Sequence, residues 1–218
     1  MKTRFAPSPT GPLHLGHAFA ALYAHDLARS QGGDFLIRIE DIDRQRSKPA
    51  WERAIYHDLE WLGLSWKGPV KRQSDRQPAF AAALDRLWDM GLLYPCTCTR
   101  RDIDSAAAAP QEGGDPLTGP DGAIYPGTCR SRPRSGTRPA DAALRIDIAR
   151  ASAVTGKMAF QENALAPAPR TVAVKTSSYP RDVGDVVLAR RDFGTSYHLS
   201  VVVDEVLLHR VQLIGAGG

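Results

Sequence analysis

Arg4-Phe5-Ala6-Pro7-Ser8-Pro9-Thr10-Gly11-Pro12-Leu13-His14-Leu15-Gly16-His17 is the stretch on which the fold turns. Arg4 to Pro9 reads as a short strand ending in a proline-rich turn, and Gly16 to Ser30 carries Phe19, Leu22, Tyr23 and Leu27 at helical spacing. The result is a strand, a loop and a helix that opens on two histidines. A helix N-terminus presents unpaired N–H groups and a partial positive charge, so it attracts phosphate, and Gly16 lets a ligand approach the backbone closely. Imidazoles at His14 and His17 can donate hydrogen bonds to phosphoryl oxygens as charge builds there during transfer. The chemistry at His14, Gly16 and His17 suits a nucleotide, and the plain alternative is a pair of solvated or cap-associated histidines at a helix start.

Working outward, Gly32-Gly33 punctuates a turn before Phe35-Leu36-Ile37-Arg38-Ile39-Glu40, which runs apolar as a buried parallel strand does. Pro49 suits the first turn of a helix with Trp51, Ile55, Leu59 and Leu62 on one face and Gly63 as its stop. A further helix runs from about 78 to 90, with Phe80, Leu84, Leu87 and Trp88 inward and Gly91 past its end. Alternating elements of this kind predict an α/β fold, a parallel sheet with flanking helices. Strand-like segments at 143–148, 185–188 and 199–203 are expected to complete that sheet. Before them lies a segment rich in alanine, glycine, proline and arginine, read as a loop-built insertion over 94–140 within a single domain spanning 1–218.

The chain has 218 residues, 43% of them hydrophobic, and a formal net charge of +4, so it is long enough for a real core. The mild basic surplus favours a polyanionic partner such as RNA without requiring one. No apolar run is long enough to span a bilayer and the N-terminus has no signal-type apolar region, so no membrane and a cytoplasmic location are expected. A reducing compartment leaves Cys96, Cys98 and Cys129 without a disulfide framework. Thiolates on both sides of a loop-rich segment are what a structural metal needs, since ligation replaces missing burial, and zinc is the expected ion. With no histidine between His57 and His198, a local fourth ligand is the phenol of Tyr125, a carboxylate such as Asp121, or water. The bland alternative is three reduced thiols.

The opening stretch resembles the signature of glutamyl-tRNA synthetases and their relatives, His14-Leu15-Gly16-His17 being similar to the class I "HIGH" motif. The likeness extends through Leu36-Ile37-Arg38-Ile39-Glu40-Asp41-Ile42-Asp43-Arg44 and Tyr94-Pro95-Cys96-Thr97-Cys98-Thr99-Arg100. The resemblance implies a Rossmann-like class I catalytic domain with a zinc-binding insertion, in which Cys96, Cys98, Tyr125 and Cys129 hold the ion. It implies a glutamate pocket in which Arg4 takes the side-chain carboxylate and Glu40 the ammonium. Phe5, Ala6, Pro7 and Ser8 line that pocket, and Tyr197 completes it. A substrate with two carboxylates and one amine needs such a guanidinium fork and fixed acid.

The activity the resemblance implies is ATP- and Mg2+-dependent formation of glutamyl-adenylate, with His14, Gly16 and His17 as the catalytic residues. Ile42, where tRNA-charging members usually have threonine, leans towards the branch that loads queuosine-containing tRNA(Asp). The partners expected are glutamate, ATP and that tRNA, acting on a monomer. Two alternatives stand beside this: the catalytic fragment of a tRNA(Glu)-charging enzyme, and a remnant that binds zinc, nucleotide or tRNA without turnover. The second gains weight because none of Lys2, Lys48, Lys67, Lys71, Lys157 and Lys175 sits in the family's lysine-serine-lysine loop. After Glu205 the family's Val-Arg-Gly segment is replaced by Val206-Leu207-Leu208-His209-Arg210-Val211-Gln212, which reads as a C-terminal truncation, and Arg210 does not inherit that arginine's role.

Overall fold

The computed structural model describes residues 1–107, 118–120, 122–132, 134, 136–162, 170–208 and 211–212. In chain order the elements are β1 (Lys2–Phe5), α1 (Leu15–Ser30), β2 (Asp34–Ile39), α2 (Pro49–Trp61), β3 (Lys71–Arg72) and α3 (Gln77–Asp89). Then come β4 (Leu93–Cys96), α4 (Arg100–Ala107), β5 (Thr118–Gly119), β6 (Gly122–Ala123), β7 (Ala143–Ile146) and α5 (Ile148–Thr155). The last are β8 (Met158–Glu162), β9 (Arg170–Val174), α6 (Tyr179–Asp182), β10 (Val187–Ala189), α7 (Tyr197–Leu208) and β11 (Val211–Gln212). Two compact units contain them, Met1–Ala83 with Phe193–Gly218, and Leu84–Asp192. The second takes in the whole of 94–140 together with its flanks.

The first unit is built on a parallel sheet of order β11-β1-β2-β3. Arg4 pairs with Leu36 and Phe5 with Ile37, and alternation along a strand then decides what each face holds. Phe5, Phe35, Ile37 and Ile39 turn to one side, where they pack with Ala21, Ala24 and Ala28 of α1 and Ile55 and Leu59 of α2. Arg4, Leu36 and Arg38 share the opposite side.

The buried stripe of α1 is therefore Ala21, Ala24 and Ala28, while Phe19 and Tyr23 are exposed and stack on each other at 6.1 Å. Small side chains let the helix lie close to the sheet, and of the residues at helical spacing Leu22 packs against the core while Phe19 and Tyr23 do not. Pro49 opens α2 as expected, and Gly63 follows it with φ 73°.

The segment 199–203 corrects the sequence reading: it is the middle of helix α7, not a strand. Ser196 Oγ accepts the Leu199 N–H at 3.4 Å and its carbonyl accepts the Ser200 N–H at 3.0 Å. Leu199, Ser200 and Asp204 are buried while Val202 is exposed. Helical burial thus overrides the strand propensity of Val201-Val202-Val203, as tertiary context commonly does.

The second unit holds an antiparallel sheet of order β10-β7-β4 and the hairpins β5–β6 and β8–β9. The segments at 143–148 and 185–188 therefore build this separate sheet instead of completing the parallel one. Their fixing point is Asp185, whose buried carboxylate accepts from Tyr94 Oη at 2.5 Å, Arg130 Nε at 2.8 Å and the Ile148 N–H at 3.0 Å. Asp147 caps α5 through the Arg150 N–H. No helix among the described residues is long and apolar enough to cross a membrane.

Candidate functional site

His14 is the N-cap of α1, with extended backbone (φ −122°, ψ 174°). Its Nδ1 accepts the Gly16 N–H at 3.1 Å, and its own N–H donates to His17 Nδ1 at 3.2 Å, which closes a capping box made of two imidazoles. The rings stack at 3.8 Å, and Phe5 meets His17 edge-on at 6.4 Å. A Cβ at position 16 would lie 3.0 Å from His14 Cε1, so glycine there is what lets the His14 ring fold back over the helix start. Because both rings accept at Nδ1, each neutral imidazole carries its proton on Nε2. The cap leaves both Nε2–H groups uncommitted as donors.

Protonation at Nδ1 breaks the cap. Burial, then the neighbouring His14, holds the His17 imidazole below its ordinary value of 6.5. The unfolded chain therefore binds the proton first, and the cap's contribution is complete above about pH 6.5 and lost as pH falls through the lower folded value. Acidification through that window is expected to cost about 1 kcal/mol, the usual worth of a helix cap. His17→Gln, which keeps an acceptor at the same helix position, is expected to flatten the step in thermal melts run from pH 7.5 to 5.

At the same carboxyl edge of the sheet, Glu40 follows the last residue of β2 and its N–H donates to Pro7 O at 3.0 Å. Arg38 Nη2 bonds Glu40 at 2.6 Å, and Arg4 Nη1 stands 3.8 Å from the same oxygen. From α7, Glu205 reaches Arg4 Nη2 at 2.7 Å and Arg38 Nη1 at 3.1 Å. Asp204 accepts from Gln73 Nε2 at 3.2 Å and stands 3.4 Å from Arg76 Nε.

Arg4 is lowered from its ordinary value, by burial first and then by Arg38, with Glu205, Glu40 and Tyr197 opposing. Arg4 Nε, Arg38 Nε and Glu205 Oε2 are buried without a hydrogen-bond partner among the described residues. These are open valences in a network otherwise paired. A cavity of about 40 Å³ adjoins it, lined by Arg4, Arg38, Lys71, Arg76 and Asp204 among others.

In the second unit the sulfurs of Cys96, Cys98 and Cys129 lie within 4.8 Å of one another. The Tyr125 hydroxyl is 3.5 Å from Cys96 Sγ and 3.4 Å from Cys98 Sγ, and Cys98 and Cys129 are 3.5 Å apart. Ligands about 2.3 Å from a tetrahedral zinc ion stand about 3.8 Å from each other, so these four atoms fit one ion. Burial raises the Cys98 thiol. Cys129 falls to about 6: burial opposes this, but hydrogen bonds from the Tyr125 phenol, the Thr97 backbone and the neighbouring thiols outweigh it. Asp121, the other oxygen donor considered, lies outside the described residues.

The structure thus gathers His14, Gly16 and His17 at one helix start, Arg4 and Glu40 in one network, and Cys96, Cys98, Tyr125 and Cys129 in one cluster. Phe5 and Pro7 are buried, and the Phe5 side chain belongs to the core, whereas Ser8 is exposed and Ala6 half-buried. Tyr197 is 57% exposed and near enough to Arg4 to act on its charge. Sequence reasoning missed Arg38, Gln73, Arg76, Asp204 and Glu205. For Arg38 the signal was present, an arginine inside an apolar strand and two residues from Glu40, hence on its face. Three arginines of the segment 94–140 are held in ion pairs by the rest of the second unit: Arg130 with Asp185, Arg134 with Asp147 and Arg138 with Asp85.

Residues 1–211 match the model of the family described as tRNA synthetases class I (E and Q), catalytic domain. A glutamyl-Q tRNA(Asp) synthetase of Rhodobacter capsulatus is 60% identical over 94% of this chain and 72% of its own length. One of Dechloromonas aromatica is 42% identical over 93% of the chain and 60% of its own length. A glutamate tRNA ligase from Elizabethkingia meningosepticum, solved in complex with its amino acid, superposes with a TM-score of 0.67 at 28% identity. That match covers 95% of this chain and 42% of the ligase. The chain thus spans from 42% to 72% of the length of these three proteins.

Proposed function

Because the chain belongs to the catalytic-domain family of class I tRNA synthetases for glutamate and glutamine, we propose that it activates glutamate with ATP and passes it to queuosine in tRNA(Asp). The observation that carries this reading is the meeting of Arg4, Arg38 and Glu40 at the carboxyl edge of the parallel sheet that also bears the His14–His17 cap. Ligands in open α/β sheets bind at that edge.

In the proposed reaction an α-carboxylate oxygen of glutamate forms a bond to the α-phosphorus of ATP. The bond to the bridging oxygen breaks, and pyrophosphate leaves. The Nε2–H groups of His14 and His17 donate to the phosphoryl oxygens as negative charge grows on them. Arg4 takes the side-chain carboxylate, Glu40 the ammonium, and Ser8 and Tyr197 border the open side, which fixes the attacking oxygen in line. Mg2+ accompanies ATP and neutralises its phosphates. A nucleophile of the queuosine base then attacks the adenylate carbonyl and AMP leaves. The same reading places the protein in the cytoplasm as a monomer.

We also assign a structural zinc ion to Cys96, Cys98, Tyr125 and Cys129, on the strength of their mutual distances. When bound, the ion cross-links a part of the chain that has little apolar core of its own.

The test is glutamate-dependent ATP–pyrophosphate exchange. Exchange is expected, and His14→Ala should lower it by about 10²–10³, the cost of one preorganised donor. No exchange above that variant would overturn the reading. A second reading is binding without turnover. It predicts calorimetric uptake of ATP or glutamate with no adenylate formed. Charging of queuosine-containing tRNA(Asp) against tRNA(Glu) identifies the acceptor.

A further inference from the structure

Arg145 is 8% exposed, on the central strand of the β10-β7-β4 sheet. Burying a guanidinium there costs several kcal/mol unless a negative group compensates it. Yet none of the ion pairs among the described residues involves Arg145. Its contacts are of another kind. Nη1 donates to the Asp185 carbonyl at 2.7 Å, Nε donates to Cys96 Sγ at 3.4 Å, and Cζ stands 3.8 Å from the centre of the Tyr125 ring.

Two of the four donors of the cysteine–tyrosine cluster therefore touch one cation. The register explains how: Arg145 pairs with Tyr94, and Cys96 lies two residues on along β4, so all three side chains share a face. An ion held by three thiolates and a phenolate leaves the centre doubly negative, and a neutral phenol leaves it singly negative. Either way the centre needs a positive neighbour, and Arg145 is in contact with it.

We propose that Arg145 is an outer-sphere positioning residue of the metal centre, which offsets its negative charge and fixes Cys96 and Tyr125 in ligating orientation. Arg145 does not bind the ion. The guanidinium plane over the Tyr125 ring aims the phenol oxygen at the thiols, and the Nε–H engages one lone pair of Cys96 sulfur and leaves another for the metal. Outer partners of this type typically change metal affinity by about 10–100-fold. The inference rests on the zinc assignment above, and the experiment separates the two.

Zinc affinity is measured by competition with a chromophoric chelator, on the whole chain, for wild type, Arg145→Gln, Arg145→Lys and Tyr94→Phe. Cobalt(II) spectra of each report the thiolate and phenolate environment. Tyr94→Phe removes a hydrogen bond to the same Asp185 scaffold without touching a donor atom, so it controls for loosening of the sheet.

The expected result is one zinc per wild-type chain, about 10–100-fold weaker binding in Arg145→Gln with a shifted cobalt spectrum, an intermediate loss in Arg145→Lys, and near-wild-type binding in Tyr94→Phe. Should Arg145→Gln fail to fold, Arg145→Lys carries the comparison, since it keeps the charge and loses the planar stack. Wild type without stoichiometric zinc overturns the zinc assignment itself. Unchanged affinity in both Arg145 variants, or an equal loss in Tyr94→Phe, overturns the role given to Arg145.

Discussion

Arg4→Ala is expected to abolish glutamate binding and to lower the stability of the chain by about 2 kcal/mol. Breaking a fully buried ion pair costs about 3–5 kcal/mol. The smaller figure applies here because Arg38 stays in contact with both carboxylates, Glu40 at 2.6 Å and Glu205 at 3.1 Å. What the variant loses is the 2.7 Å bond to Glu205, and the Glu205 Oε2 that already has no partner becomes harder to accommodate. Urea titration reads the stability loss and calorimetry with glutamate reads the binding. Arg4→Lys keeps the charge without the fork, so it should recover most of the stability and little of the binding. Glutamate bound equally well by Arg4→Ala would remove Arg4 from the pocket.

Cys129→Ser is expected to lower zinc affinity by more than about 10²-fold, since even the loss of an outer partner costs 10–100-fold. The effect should also reach the folding of its surroundings. Cys129 and Tyr125 are buried together with Tyr94 and Cys96 in one small cluster, and the Cys129 N–H donates to the Tyr125 hydroxyl at 2.9 Å. Chelator treatment of wild type should reproduce the variant's lower melting temperature, and added zinc should restore only wild type. Metal analysis after dialysis gives the stoichiometry directly; zinc retained by Cys129→Ser at one per chain would contradict the four-donor set.

Much of the first unit was legible because local signals and burial agree there. Pro49 and Gly63 mark the ends of α2, and Phe35, Ile37 and Ile39 of the apolar run lie on a sheet face that the core covers. The cysteines were legible as donors by residue type and Tyr125 through the family resemblance, although they come from the end of β4, the residues just after it and a loop about thirty positions later. Three things were not legible. The buried side of α1 is written in alanines, which carry little hydrophobic signal, while the conspicuous Phe19 and Tyr23 face outward. The Val201-Val202-Val203 run has strand propensity, and only its tertiary surroundings make it helix. Arg145 looks like a polar interruption of a strand until the sulfur it faces is placed beside it.

The two imidazoles at the start of α1 have a consequence for which substitutions the helix can absorb. Each ring is a two-ended connector: one nitrogen is spent inward as an acceptor for the backbone, the other remains a donor facing away from that bond. Lysine and arginine have no acceptor, so they would supply charge and lose the helix start; serine and aspartate would keep the start and supply no comparable reach. Asparagine at position 14, a favoured N-cap, would hold the helix with its carbonyl but present its amide along a shorter and differently angled lever. The helix start and the proposed contacts to phosphate are thus wired through the same two rings at opposite ends, and few side chains can serve both masters.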